Sequence, residues 1–307
     1  MELSRHEFEL FRDYIYRICG LVIADNKQYL IRQRLEPLAS ASGCVNFSEY
    51  YRKVTESSLS GERSRTEGPP ETKNRLQEQI INAITTNETS FFRDRHPFTA
   101  FKECILPRLN DRVCERKQRH QSRKGPKVRL WSAGSSTGQE AYSLVMLIKE
   151  YSENAGMKDS FPRIPVSTED FVILATDIST EMLARAMAGE YNDTEMKRGL
   201  NPERVNAYFK KQGKRWVISS SIRSMVEFRQ INLIRPFTML GGFDVIFCRN
   251  VMIYFDIETK ARIIGQFYEM LSDKGFLVLG ATENIYGITD RFDSVHHGET
   301  LFYQKKG

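Results

Sequence analysis

A chain of 307 residues, 40% hydrophobic and 27% charged, is long enough for one large domain or two smaller ones and has the balance of a globular protein with a buried core. No apolar run approaches the roughly 20 residues that a membrane span requires, and Met1 to Phe11 is charged from the start with no signal-peptide core, so the expected location is the cytoplasm, without membrane insertion. The net charge of +6 suits an acidic partner or nucleic acid alike, and the excess is too modest to decide anything by itself.

The first 85 residues read as a small helical domain. Phe8, Phe11, Ile15 and Ile18 recur at helical spacing and Gly20 is a stop. A second helix is expected over about Asn26 to Ala41, ending near Gly43. Asn46 with Glu49 has the form of a capping box opening a third helix through Val54. Ser57 to Thr72, rich in Ser, Gly, Pro and charge, reads as an exposed loop. Leu76, Ile80, Ile81 and Ile84 mark a further helix.

From about residue 86 the pattern changes. Phe98 to Arg119 reads as a helix broken by Pro107, with a basic end containing Arg112, Arg116, Lys117, Arg119, Arg123 and Lys124. No aromatic residues interleave with these charges, so a solvated helix end is favoured over a nucleic-acid patch. Strands at Lys127–Ser132, Phe171–Thr176, Phe243–Cys248 and Gly275–Gly280 alternate with helices at Gly138–Tyr151, Glu181–Ala188 and Lys260–Leu271. Leu144, Leu147 and Ile148 are expected inward. This alternation implies an α/β fold with a doubly wound, mostly parallel sheet covered on both faces. Arg215–Ser220 and Met225–Phe228 read as short antiparallel strands of a small β insertion, about residues 208–229, in a second domain of residues 86–307. Cys19, Cys44, Cys104, Cys114 and Cys248 are scattered, with no CxxC pair, and His296-His297 reads as a strand or loop end, so no metal is expected.

Four segments carry chemistry. Leu130-Trp131-Ser132-Ala133-Gly134-Ser135-Ser136-Thr137-Gly138-Gln139-Glu140 takes a strand through small residues into a helix, where a ligand can approach the backbone and the helix N-terminal amides. Neither the dinucleotide nor the P-loop spacing is met, and tight packing alone also produces such a turn. Asp177, closing the next strand in Ala175-Thr176-Asp177, suits a ribose diol. Its distance from the glycines exceeds the usual ~20 residues, a difference the polar stretch Glu153 to Glu169 would take up as a loop. A helix cap after Ile178 is the alternative role. Gly242 to Phe255 delivers Arg249, Asn250 and Tyr254 beyond a strand's carboxyl end, where open α/β sheets bind ligands. Thr86 to Asp94 is a polar, aromatic and basic cluster at the junction of the two regions, either a site or a hinge.

Together these segments resemble the CheR-type chemotaxis receptor methyltransferases, which transfer a methyl group from S-adenosylmethionine to receptor glutamates. The matching stretches are Asn87 to Arg93, Trp131 to Ser143, Ala175 to Ile178 and Cys248 to Phe255, in order over about residues 86–303. The resemblance implies that Asn87, Thr89 and Arg93 line the cofactor site, with Arg93 near the methionine carboxylate and the reacting centre. It places Gly134 in the cofactor turn, Glu140 at the polar methionine end, Asp177 at the ribose, and Asn232 and Leu233 beside the adenine. Arg249 and Asn250 would close the pocket, and Tyr254 would face the incoming glutamate. It also implies that a basic face with Lys27, Arg32 and Arg34 meets receptor helices, although a solvated face explains those residues too.

The loop that holds a receptor's C-terminal peptide in some relatives is short here, Phe209 to Trp216, so such tethering is not expected. Two other readings compete: a methyltransferase of RNA or a small molecule, suggested by the positive charge, and a non-catalytic S-adenosylmethionine sensor. The presence of Arg93 and Tyr254 speaks against the sensor, and nucleic acid is not an expected partner.

Overall fold

The computed structural model describes residues 1–59, 71–119, 126–158 and 166–307. Four helices come first: α1 (Arg5–Cys19), α2 (Gln28–Ala41), α3 (Phe47–Leu59) and α4 (Glu71–Ile84). Ser4 caps α1 in a full capping box with Glu7. The Glu7 carboxyl is pushed up by burial, but bonds from Ser4 and Ser48 outweigh that and hold it below the ordinary range. Asn46 accepts the Glu49 N–H, while the Glu49 carboxylate bonds Val45 rather than Asn46, so the box expected at this start is half made. Phe8, Phe11, Ile15, Ile18, Ile80, Ile81 and Ile84 fill one shared core. The centre of the loop expected at Ser57 to Thr72 lies outside the described residues, and both its flanks are helical.

A long helical run follows: α5 (His96–Ala100), a π turn over Phe101–Ile105, and α6 (Leu106–Arg119). Pro107 does not break it. Proline has no N–H and crowds the carbonyl four residues back. The wider turn just before it, where Leu106 N–H bonds Phe101 O, accommodates both effects.

The remainder alternates as expected. It runs β1 (Val128–Ala133), α7 (Gln139–Lys158), β2 (Phe171–Asp177), α8 (Thr180–Ala188), β3 (Glu190–Tyr191), α9 (Asp193–Lys197) and α10 (Pro202–Tyr208). Next come β4 (Phe209–Gln212), β5 (Arg215–Ile218), α11 (Ser220–Arg223), β6 (Val226–Gln230), β7 (Phe243–Cys248), α12 (Ile257–Met270), β8 (Leu271–Leu279), β9 (Phe292–His297) and β10 (Thr300–Lys305). Helix α7 continues past Glu153 to Lys158, so the expected loop there begins later, and residues 159–165 lie outside the described ones.

Seven strands form one sheet in the order β6-β2-β1-β7-β8-β10-β9. Pairing from β6 through β8 is parallel, and β10 runs antiparallel to β8 and β9. Alternate residues of each central strand enter two different cores. Leu130, Val245, Phe247 and Val278 join α6 and α7 residues on one face, and Trp131, Ile246, Cys248 and Leu279 join α12 on the other. Both faces are therefore covered, which is why β7 reads as unbroken apolar sequence from Val245 to Cys248. A second sheet of three short antiparallel strands, β3-β5-β4, stands apart. The β insertion expected at 208–229 is corrected in one respect. The Met225–Phe228 stretch belongs to β6, which pairs parallel with β2 at the edge of the main sheet. A parallel edge strand with one exposed face alternates as an antiparallel ribbon does, so periodicity could not separate them.

The basic end of α6 is also corrected. Arg112 and Arg116 both bond Asp244, and Lys117 is buried against Asp170 at 2.7 Å. These charges are internal ties rather than a solvated face. Arg123 and Lys124 lie outside the described residues.

Candidate active site

Strand β1 has β2 on one side and β7 on the other, so the chain leaves it in opposite directions and opens a crevice at the strands' carboxyl ends. Asn87, Thr89, Arg93, Gly134, Glu140, Asp177, Asn232, Leu233, Arg249, Asn250 and Tyr254 all line one cavity there. Lys27, Arg32 and Arg34 lie away from it, exposed on the helical region. Arg32 faces Glu36 at 3.6 Å, and Arg34 donates to the Ala83 carbonyl of α4.

The turn after β1 is fixed against the end of β2. Its amides are occupied: Gly134 and Ser135 donate to Thr176 O, and Ser136 donates to Asp177 Oδ2 at 2.8 Å. Gly134 has φ +79°, and a Cβ there would lie 2.4 Å from Val251 Cγ2. The missing side chain thus lets the segment after β7 close against β1. Ser136 Oγ reaches Asn87 O and ties the Asn87–Arg93 segment to the same turn.

Asp177 ends β2 and is buried. It does not cap α8, where Ser179 takes the Met182 N–H. Its two oxygens instead accept Ser136 N–H and Ser179 N–H, which orients the carboxylate and leaves lone pairs free. Burial, the largest influence, raises its pKa above the ordinary 3.8 against the pull of those bonds.

Arg249 follows β7 with its side chain 2% exposed. It joins Glu140 at 3.0 Å, Asp94 at 2.7 Å and the Arg93 carbonyl at 2.9 Å. Glu140 also accepts Ser132 Oγ–H. One buried guanidinium therefore clamps the start of α7 to the Asn87–Asp94 segment. The geometry there is constrained, with Phe92, Asp94 and Arg95 at positive φ. Arg93 itself turns back to donate to the Glu88 carbonyl.

Residues from α1 and just beyond complete the wall. Cys19 and Leu21 line the cavity, as do Ile231 and Phe255. Gly20 caps α1 in the left-handed region, and a Cβ there would meet Ile234 Cγ2 at 2.6 Å. Asn232 donates to Ile18 O, Val22 N–H to Tyr254 O, and Tyr16 to Asp256. Sequence reasoning missed Cys19, Leu21, Ile231 and Phe255. Ile231 and Phe255 adjoin residues the sequence did single out, whereas Gly20, beside Cys19 and Leu21, reads only as a helix stop.

Residues 87–300 match the family model described as CheR methyltransferase, SAM binding domain, and residues 6–66 match the CheR methyltransferase all-alpha domain. The chain belongs to the CheR methyltransferase family. Chemotaxis protein methyltransferase 1 of Pseudomonas aeruginosa is 36% identical over the whole of both chains. A chemotaxis protein methyltransferase of Vibrio anguillarum is 36% identical over 99% of this chain and 98% of the relative, and that of Escherichia coli 31% over 100% and 93%.

This CheR family member is an S-adenosylmethionine-dependent methyltransferase, and its cavity residues fit that cofactor. Asp177 presents an oriented carboxylate with acceptor capacity left over, as a ribose diol requires. Arg249 Nε is buried without a hydrogen-bond partner among the described residues, which leaves a donor in the lining. Leu233 and Ile231 supply an apolar wall. No group of three or more His, Cys, Asp or Glu side chains among the described residues could hold a metal ion. Nor is any described helix long and apolar enough to cross a membrane.

Proposed function

We propose that this CheR family member methylates glutamate carboxylates of chemoreceptors, giving glutamate methyl esters. The observation that carries this reading is the state of the ionisable groups around the cavity. Among the described lining residues there is no histidine, and burial pushes the Cys19 thiol up to about 11. The carboxylates are engaged: Glu140 by Arg249 and Ser132, Asp177 by two backbone amides, Glu88 by Arg198. Asp177, the carboxylate with acceptor capacity left over, is assigned to the ribose, so none of these groups is assigned as a general base. A glutamate, with an ordinary pKa of about 4.3, arrives ionised and needs none.

When bound, S-adenosylmethionine supplies a methyl group on a positively charged sulfur, which leaves as a neutral thioether. The protein's part is alignment and exclusion of water. Arg93 and Tyr254 are assigned to orient the incoming carboxylate. Asn87, Thr89, Gly134, Glu140, Asn232, Leu233, Arg249 and Asn250 are assigned to hold the cofactor, and Asp177 to hold its ribose. The catalytic unit is assigned to residues 86–307 and the receptor-contacting unit to residues 1–85.

Labelled methyl transfer to a chemoreceptor-containing membrane fraction tests the reading. Base-labile label mapping to glutamates is expected, because esters hydrolyse in base and N-methyl groups do not. Base-stable label, or label in RNA, would sink it. On the receptor side, reversing charge at Arg32 and Arg34 together is expected to lower receptor methylation about fivefold, in keeping with roughly 1 kcal/mol for exposed charges. Cofactor affinity, measured by calorimetry, should stay within twofold. Unchanged methylation would remove the basic face from the proposal. A C-terminal receptor peptide should give no binding heat. The hairpin that would hold it is only β4 and β5 joined through Gly213 and Lys214.

A further inference from the structure

The segment that brings Arg249, Asn250 and Tyr254 to the cavity is not regular structure that holds its own shape. After β7 the chain passes through Asn250 at φ +59° and then a single 3-10 turn, Met252–Tyr254. A left-handed residue followed by one short turn leaves several backbone N–H groups for something else to satisfy.

We propose that Glu283 supplies that support and is a positioning residue for methyl transfer, although it does not line the cavity. Glu283 is 8% exposed. Its Oε2 accepts Asn250 N–H at 2.8 Å and Gly280 N–H at 2.7 Å, and its Oε1 accepts Ile253 N–H at 3.2 Å. Burying a carboxylate is costly unless it is hydrogen-bonded, and three backbone amides meet that need here. Together the bonds tie Gly280, just past β8, to Asn250 ahead of the turn that carries Tyr254 and to Ile253 within it. Strands β7 and β8 are parallel neighbours, with Cys248 opposite Leu279, so the tie spans the shortest gap available. The seat is shaped for the carboxylate: a Cβ on Gly280 would lie 2.6 Å from Glu283 Oε2 and 2.9 Å from Asn250 N. Two oxygens with lone pairs in one plane match donors on either side. An amide has one such oxygen, and its NH2 would face an N–H.

The inference rests on the reading above that Tyr254 faces the acceptor carboxylate. Glu283→Gln is expected to lower kcat by up to about 20-fold, the loss expected of Tyr254→Phe itself, since a misplaced hydroxyl costs no more than a missing one. The double variant with Tyr254→Phe should lose little beyond the larger single loss, because Glu283 acts through the turn that holds Tyr254. Amide hydrogen exchange at Asn250 and Ile253 should accelerate, while the amides of Phe276 to Leu279 keep wild-type rates. If Glu283→Gln yields no folded protein, Glu283→Asp, which keeps the charge but is one methylene shorter, carries the same measurements with a smaller loss. Losses that multiply in the double variant, or unchanged exchange at both amides, would overturn the proposal. Exchange needs no methyl acceptor. A wrong substrate assignment would show instead as wild-type protein that labels no receptor, so the two failures are distinguishable.

Discussion

Strand β7 has a buried ion cluster at each end, and the two do opposite things. Near its start, Asp244 gathers Arg112 and Arg116 from α6, the Arg129 N–H and Ser272 Oγ–H. Just past its end, Arg249 gathers Glu140, Asp94 and a backbone carbonyl. Both centres are almost fully buried and both join elements distant in sequence. Only the Arg249 cluster lines the cavity. A buried charge with two opposite partners is thus no evidence of function by itself. What separates the clusters is the end of the strand they occupy, since ligands of open sheets sit at the carboxyl ends.

Removing Arg249 should give the largest effect. Arg249→Leu leaves Glu140 and Asp94 without their cation, at a scale of several kcal/mol for a broken buried pair. Methyl transfer is expected to fall roughly 10³-fold, with measurable loss of cofactor affinity. Retention of a tenth of wild-type turnover would make the two clusters equivalent.

Asp177→Asn should weaken cofactor binding about 30-fold, as for a lost hydrogen bond to a charged group. The sign of the pH dependence follows from burial, which raises the Asp177 pKa. Affinity should be full above that raised pKa and fall as pH drops through it, at a pH higher than an exposed aspartate would give. In the Asn variant this dependence should flatten. Calorimetry across pH 4–8 (roughly the span over which raised carboxylates titrate) checks both points, and an unaltered profile would contradict the ribose assignment.

Tyr254→Phe should lower turnover about 20-fold, the scale of one hydrogen bond to a charged group, and leave cofactor affinity within twofold. Equal losses of both would mean that the hydroxyl serves the cofactor rather than the acceptor.

The smallest effect on chemistry is expected from the other end of β7. Burial pushes the Asp244 carboxyl up, but bonds from Arg116 and Arg129 outweigh it and hold the pKa below the ordinary 3.8. Its stabilising contribution is therefore present above that value and lost as pH falls through the lower, folded-state value. Asp244→Asn should cost about 2–3 kcal/mol, less than a fully buried pair because both arginines keep some water. Thermal unfolding should register that loss. Turnover per folded molecule, assayed well below the transition, should stay within twofold. A large drop in turnover would dissolve the contrast between the two ends.

Much of the site was legible because its residues sit in short segments whose local pattern announces a strand end or a break in periodicity. Gly134, Asp177 and the Arg249–Tyr254 stretch are of this kind. What stayed hidden depends on partners far along the chain. Arg116 reads as surface charge until Asp244, on a strand it does not adjoin in sequence, folds beneath it. Cys19 and Leu21 look like the ordinary end of an amphipathic helix, since the wall they complete is made by Ile231 to Leu233 and Phe255. Strand β6 alternates as any half-exposed strand does, and only its pairing with β2 sets its direction. The Glu283 carboxylate left no trace in periodicity, because its three bonds go to main-chain atoms whose identity the sequence does not encode.

The contact made by Gly20 bears on how this architecture can change. A side chain at that position would strike Ile234, and the Asn232 amide and the Tyr254 carbonyl each hold a neighbouring backbone group of the helical region. The helical region is therefore not an interchangeable adaptor hung on a finished enzyme. A chimera that replaced it to redirect the enzyme would have to import a glycine at this position and carry the Ile18 carbonyl and Val22 amide in the same register. Otherwise it would gain a new target and open the floor of its own cavity.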